Sequence, residues 1–393
     1  MFDPPGSRHS LPQLTWDGTR YTLIGYDGPP TSLIQTTFDF GTAQPASVKL
    51  GAGGLAQTAT NGKEIAIVYT GTGANVPREA SVTDPDFIVI DGRRVHAPRK
   101  DRNQSFFMVT SPSGGVVIKP IALGDQRVSH TAPGVGVAWN PRDREWGVVW
   151  SEFNHVKFAR ISQTGKLGVT TSVAMDRFID ASSRMVWNGS AFAFVAHGKD
   201  LVLFEIDAAG VRSTVVMTTD QHNNVLEPVL AYDGTRYAIA YRVTTEGTVP
   251  KPRHANAGKG APAPGRPQTQ VEYAQNDELR FVTVAGGKAT KPVTIAKNDG
   301  GPVINTPVIQ ADGAQFVIVW GERQVDTPSF DDRLKIARVD AAGTIAKGYP
   351  TRIDSDNVHQ GSASIAGTGC DLAISYARGN PNGEVTVAVV RAP

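Results

Sequence analysis

The chain has 393 residues, Lys+Arg 39 against Asp+Glu 37, charged residues at only 19%, and 41 glycines with 26 prolines. The near-balance of charge gives no global reason to expect nucleic acid or an anionic membrane as partner, and the turn-rich composition excludes a coiled coil or helical bundle. One cysteine, Cys370, excludes an internal disulfide framework, and no run of eighteen apolar residues could span a bilayer as a helix.

A repeat runs through the chain. Trp16-Asp17-Gly18-Thr19-Arg20-Tyr21 opens the first unit and returns almost unchanged as Tyr232-Asp233-Gly234-Thr235-Arg236-Tyr237. Weaker copies begin at Thr60, Trp139, Trp187, Ala311 and Gly367. Each places an Asp, Asn or Gly turn before an alternating apolar run such as Phe316-Val317-Ile318-Val319-Trp320. Such runs are too short for helices and rich in β-branched and aromatic residues, and Asp-Gly or Asn-Gly between two of them signals a hairpin. Third strands follow at 156–161, 201–206, 279–284 and 334–339, then turns such as Asp207-Ala208-Ala209-Gly210, then short fourth strands. Successive units start 44, 79, 48, 45, 79 and 56 residues apart. A blade takes about 40–50 residues, so the two longest steps carry insertions of about 30–35. The expected fold is all-β, a single seven-bladed β-propeller of four-stranded antiparallel blades.

The blades are expected near 12–52, 53–123, 132–175, 182–218, 226–297, 304–354 and 361–393, with insertions at 70–103 and 243–270. The first insertion holds Phe87 to Val95, a small hairpin; the second is Pro-rich and basic through Lys251, Arg253, Lys259 and Arg266, and reads as a mobile flap. Residues 1–11 either form the outer strand of blade seven, latching the ring, or leave that blade with three strands.

Alternating strand direction puts first-to-second and third-to-fourth turns on one face, and second-to-third loops with blade-to-blade connections on the other. The second face collects both insertions and most of the chemically versatile side chains. His155 and His197 fall in second-to-third loops, His222 in the connection before blade five, and Arg177 in the connection before blade four. Glu152, Arg242, Glu322 and Arg378 follow the second strands at equivalent places, where they would form a polar ring. His155, His197 and His222 come from neighbouring blades, and imidazoles suit a divalent transition metal. The arginines suit carboxylates or sulfates. Glu152 and Glu322 sit three blades apart, too far for a paired-carboxylate glycosidase.

The unit resembles the Trp-Asp-Gly, Tyr-x-Val-x-Trp repeats of bacterial, mostly secreted, β-propeller proteins, over essentially the whole chain. The resemblance implies the propeller fold and an extracellular or periplasmic place, with a cytoplasmic one still open. It carries over no catalytic residue. Two functions lead, beside a third option of a scaffold that docks within a larger assembly through the blade-two insertion. One is a binding propeller that engages a glycan or protein ligand through the long-looped face. The other is a metal-dependent polysaccharide lyase or hydrolase working on an acidic glycan at that face.

Overall fold

The computed structural model describes residues 12–27, 32–40, 46–72, 87–90, 93–96, 103–124, 134–152, 155–175, 177–179, 184–218, 223–250, 273–298, 303–323, 333–353, 358–379 and 385–392. Apart from the two-stranded hairpin at 87–90 and 93–96, these form seven antiparallel sheets in a ring, a seven-bladed β-propeller. The first strands of successive blades contact one another around the centre, and the first strand of blade seven meets that of blade one, so the ring is closed. Residues 1–11 lie outside the described residues, and blade seven has three strands among the described ones. No helix there is long and apolar enough to cross a membrane.

The turn that marks each repeat explains its residues. The Asp17 carboxylate oxygen Oδ1 accepts from Thr19 N–H at 2.8 Å, Thr19 Oγ1 at 2.9 Å and Arg20 N–H at 2.7 Å. Asp233 repeats this on Thr235 and Arg236, and Asn188 on Ser190 and Ala191. The side chain thus occupies backbone donors that the turn leaves unpaired, and the next residue, Gly18 or Gly234, takes φ of 102° or 98°.

The turn carboxyls of Asp233 and Asp340 are shifted. Burial pulls the Asp233 carboxyl upward, but hydrogen bonds from Thr235 and Arg236 and the Arg236 charge outweigh it and hold it below its usual range. Backbone N–H groups, that of Thr344 foremost, do the same for Asp340. A depressed folded pKa stabilises the fold above the unfolded value, about 3.9, and that stabilisation drains away as pH falls through the folded value. Asp233→Asn keeps the acceptor, as Asn188 does in blade four. It is expected to leave the melting temperature near neutral pH within a degree or two and to flatten part of its decline below about pH 4. Thermal melts across pH check this; an unchanged acid limb would remove Asp233 from the account.

Among the described residues no blade has a core of its own. Seven clusters of buried side chains occur among the described residues, and each is shared by two adjacent blades. Blade one gives Leu14, Tyr21, Leu23 and Phe38 to a cluster with Ala366, Ala373 and Val389 of blade seven. Leu14 N–H also donates to Ser364 Oγ at 3.0 Å, and the Tyr21 hydroxyl to the Asp371 carbonyl. At another seam Phe192, fully buried, lies against Gly147 in the middle of blade three's second strand.

The insertions leave between second and third strands. In blade two a hairpin of Phe87–Ile90 paired with Arg93–His96 stands there. Blade five differs from the expectation of a flap starting at Val243. Its second strand runs on to Pro250 and its third begins at Tyr273. The β-branched run Val243-Thr244-Thr245 pairs with Glu278, Asp277 and Asn276, and Thr244 Oγ1 donates to the buried Asp277 carboxylate at 2.6 Å. Residues 251–272 lie outside the described residues.

Candidate functional site

The looped-face side chains fall mainly into pairs within the ring. Glu152 and Glu322 occupy matching places, and each accepts the indole N–H of the Trp two residues earlier on the same strand face: Trp150 at 3.3 Å and Trp320 at 3.1 Å. Glu322 also stands 3.8 Å from Lys335 Nζ. Arg242 Nη1 donates to the Ile304 carbonyl at 2.6 Å, tying blade five to blade six, and lies 3.8 Å from Glu227. Arg177 Nη1 donates to the Asp200 carbonyl at 2.8 Å, and its Nη2 pairs with the Asp200 carboxylate at 3.3 Å, within blade four.

His155 opens blade three's third strand, with Nδ1 3.4 Å from Ser172 Oγ. His197 is near the end of blade four's second strand, opposite Phe178. His222 lies outside the described residues; the backbone of Arg378 lies in blade seven's second strand, and its side chain lies outside them. Among the described residues no group of three or more His, Cys, Asp and Glu side chains could hold a metal ion. The repeat aromatics Trp150, Tyr241 and Trp320 are fully buried between blades.

The cavity lies elsewhere, in the central channel, with a volume of about 480 Å³. It is lined by first strands of blades two to six, from Gln57 and Arg184 out to Trp187, Tyr232 and Pro141. Pro141 belongs to the blade-three turn, so the space extends toward the tight-turn face, opposite the insertions. The first-strand aromatics there lean on the following strand: Trp139 on Trp146 at 4.5 Å and Trp187 on Phe192 at 4.8 Å.

Arg184 is the distinctive group in this channel. From blade four it reaches Gln310 Oε1 of blade six, donating through Nη1 at 3.3 Å, and Ser364 Oγ of blade seven, donating through Nη2 at 2.9 Å. It lies at the molecule's centre yet borders open cavity, which is why part of its surface stays accessible. Burial pushes its pKa down to about 10, so the guanidinium is still charged at neutral pH. Reading the loops for chemistry missed this residue. The signal was in the four residues before each turn: Gln13 to Trp16, Gln57 to Thr60, Gly136 to Trp139, Arg184 to Trp187, Val229 to Tyr232, Val308 to Ala311 and Ala363 to Ala366 hold one charged side chain, Arg184.

Fold and channel together define the class, a closed seven-bladed β-propeller. No protein-family model matches the chain, and no curated protein matches it. Among solved structures it is similar to an oligogalacturonate lyase in complex with manganese, at 14% identity and TM-score 0.49 over 98% of this chain and 90% of that one. A chain of the mitotic checkpoint complex is similar at 13% identity and TM-score 0.47, over 100% and 94%. Prolyl oligopeptidase B from Galerina marginata is similar at 11% and 0.49 over 99% of this chain, which spans 50% of that protein.

Proposed function

We propose that the chain is a binding propeller that takes an acidic glycan on its long-looped face, as an exported protein of the bacterial repeat type. The observation that carries this is one-sided extension. The paired strands Tyr237–Pro250 and Tyr273–Ala285 run past the blade on the same side from which the blade-two hairpin leaves. The segment that joins the two long strands is basic, with Lys251, Arg253, Lys259 and Arg266 against Glu272 alone, whereas the other insertion, 70–103, is nearly balanced, with six Lys and Arg against five Asp and Glu. A basic arm on the looped face of a chain with a formal net charge of only +2 suits a polyanion. His155, His197, His222, Arg177, Arg242 and Arg378, with Glu152 and Glu322, belong to this reading as the floor between the arms.

Polygalacturonate and a neutral galactan, applied to the immobilised protein at low salt, test it. Binding of the acidic polymer alone is expected, weakened at least tenfold when Lys251, Arg253, Lys259 and Arg266 are replaced by alanine. Equal binding of both polymers, or none, overturns the reading. Chain cleavage that depends on an added divalent metal would favour the lyase or hydrolase instead.

A further inference from the structure

We propose that the central channel is an oxyanion-binding site in which Arg184 holds a carboxylate or an inorganic oxyanion entering from the tight-turn face, independently of the looped-face reading. A guanidinium carries five N–H donors. Gln310 and Ser364 take one each, and both are neutral. No carboxylate pairs with Arg184 among the described residues, and its proton affinity is lowered by burial alone, with no anion to raise it. Ser364 Oγ accepts from Leu14 N–H as well, so the hydroxyl that receives the guanidinium is fixed by the ring closure. The fork is thus held from two other blades, with three donors left for a ligand. A charge removed from bulk water and left without a counter-charge is costly, and a bound anion offsets that cost.

The cavity has the size of a small-molecule pocket. Beyond Arg184 its polar lining is Gln57, Thr58, Thr60 and Gln310, all uncharged; Thr60 Oγ1 already donates to the Glu64 carbonyl at 2.9 Å and Gln310 Nε2 to the Ala311 carbonyl at 3.4 Å, so the guanidinium is the main donor there, and no Asp or Glu lines the cavity to repel an anion. The half-buried rings of Trp139, Trp187 and Tyr232 stand at the outer end, where a ligand body would pass. A planar carboxylate meets a guanidinium through two parallel hydrogen bonds, whereas a tetrahedral oxyanion uses the same donors less specifically.

The experiment compares glucuronate, glucose and inorganic sulfate by isothermal titration and thermal shift at low ionic strength. Glucuronate, sulfate or both should bind wild type saturably and raise its melting temperature, and glucose should do neither. Glucuronate alone identifies a carboxylate on an organic body, and sulfate alone a free inorganic oxyanion. Arg184→Gln should weaken the binding at least tenfold. Arg184→Lys, which keeps the charge without the fork, should weaken it less. If Arg184→Gln does not fold, fluorescence quenching of wild type by iodide and caesium decides: iodide should quench more strongly, and the bound anion should suppress the difference. No saturable anion binding, binding undiminished in a folded Arg184→Gln protein, or quenching without charge preference each overturns the proposal.

Discussion

Gly147→Leu is expected to destabilise the ring by about 3 kcal/mol or more, the upper range for overpacking a close-packed interior. A Cβ built on Gly147 would stand 2.4 Å from the ring of Phe192. That ring has little room to withdraw: it is fully buried, with Phe158 at a ring separation of 5.6 Å and the Arg160 guanidinium 5.4 Å from its centroid. The position faces the seam between blades three and four, so the added side chain forces two sheets apart. Chemical denaturation measures the loss. Adding Phe192→Ala to Gly147→Leu should recover part of it, because the two side chains share one volume. A Gly147→Leu protein within about 0.5 kcal/mol of wild type, the usual range for a surface change, would mean that the seam yields.

Trp320→Ala carries the second large effect, a loss of about 3–5 kcal/mol for a truncated buried aromatic. Trp320 is fully buried in the cluster shared by blades five and six, and its indole N–H reaches Glu322. Trp320→Phe retains most of the apolar surface while removing that donor, and should cost about 1 kcal/mol, the worth of one ordinary hydrogen bond. Urea unfolding of the two variants separates packing from the hydrogen bond. If phenylalanine proved as damaging as alanine, the Glu322 contact would dominate; the same pair at Trp150 and Glu152 repeats the test in blade three.

The architecture could be read from the chain because the local and global signals agree. Asp17-Gly18 and Asp233-Gly234 dictate a turn whose hydrogen bonds need a side-chain oxygen at the first position and a glycine at the second, and the alternating run after it can only be a strand. The blade-five arm was harder to bound: the prolines and glycines beyond Pro250 suggested an early loop, but Val243-Thr244-Thr245 follows its own β-branched character and continues the ladder. Side-chain partnerships were the least visible part. The i, i+2 spacing of Trp150 with Glu152 and of Trp320 with Glu322 does put each pair on one strand face, but nothing in the spacing of Arg177 or Arg242 discloses the Asp200 carboxylate or the Ile304 carbonyl beside them. Arg184 escaped notice for the opposite reason. It sits in a tetrad that looks like core, and its meaning comes from Gln310 and Ser364, 126 and 180 residues further along.

The seam between the first and seventh blades has a consequence for biosynthesis. Leu14, Tyr21 and Phe38 leave the ribosome long before the surface that covers them, Ala366, Ala373 and Val389. While the blades between them are being made, the nascent chain therefore carries a bare apolar flank, the kind of surface that draws chaperones or self-associates.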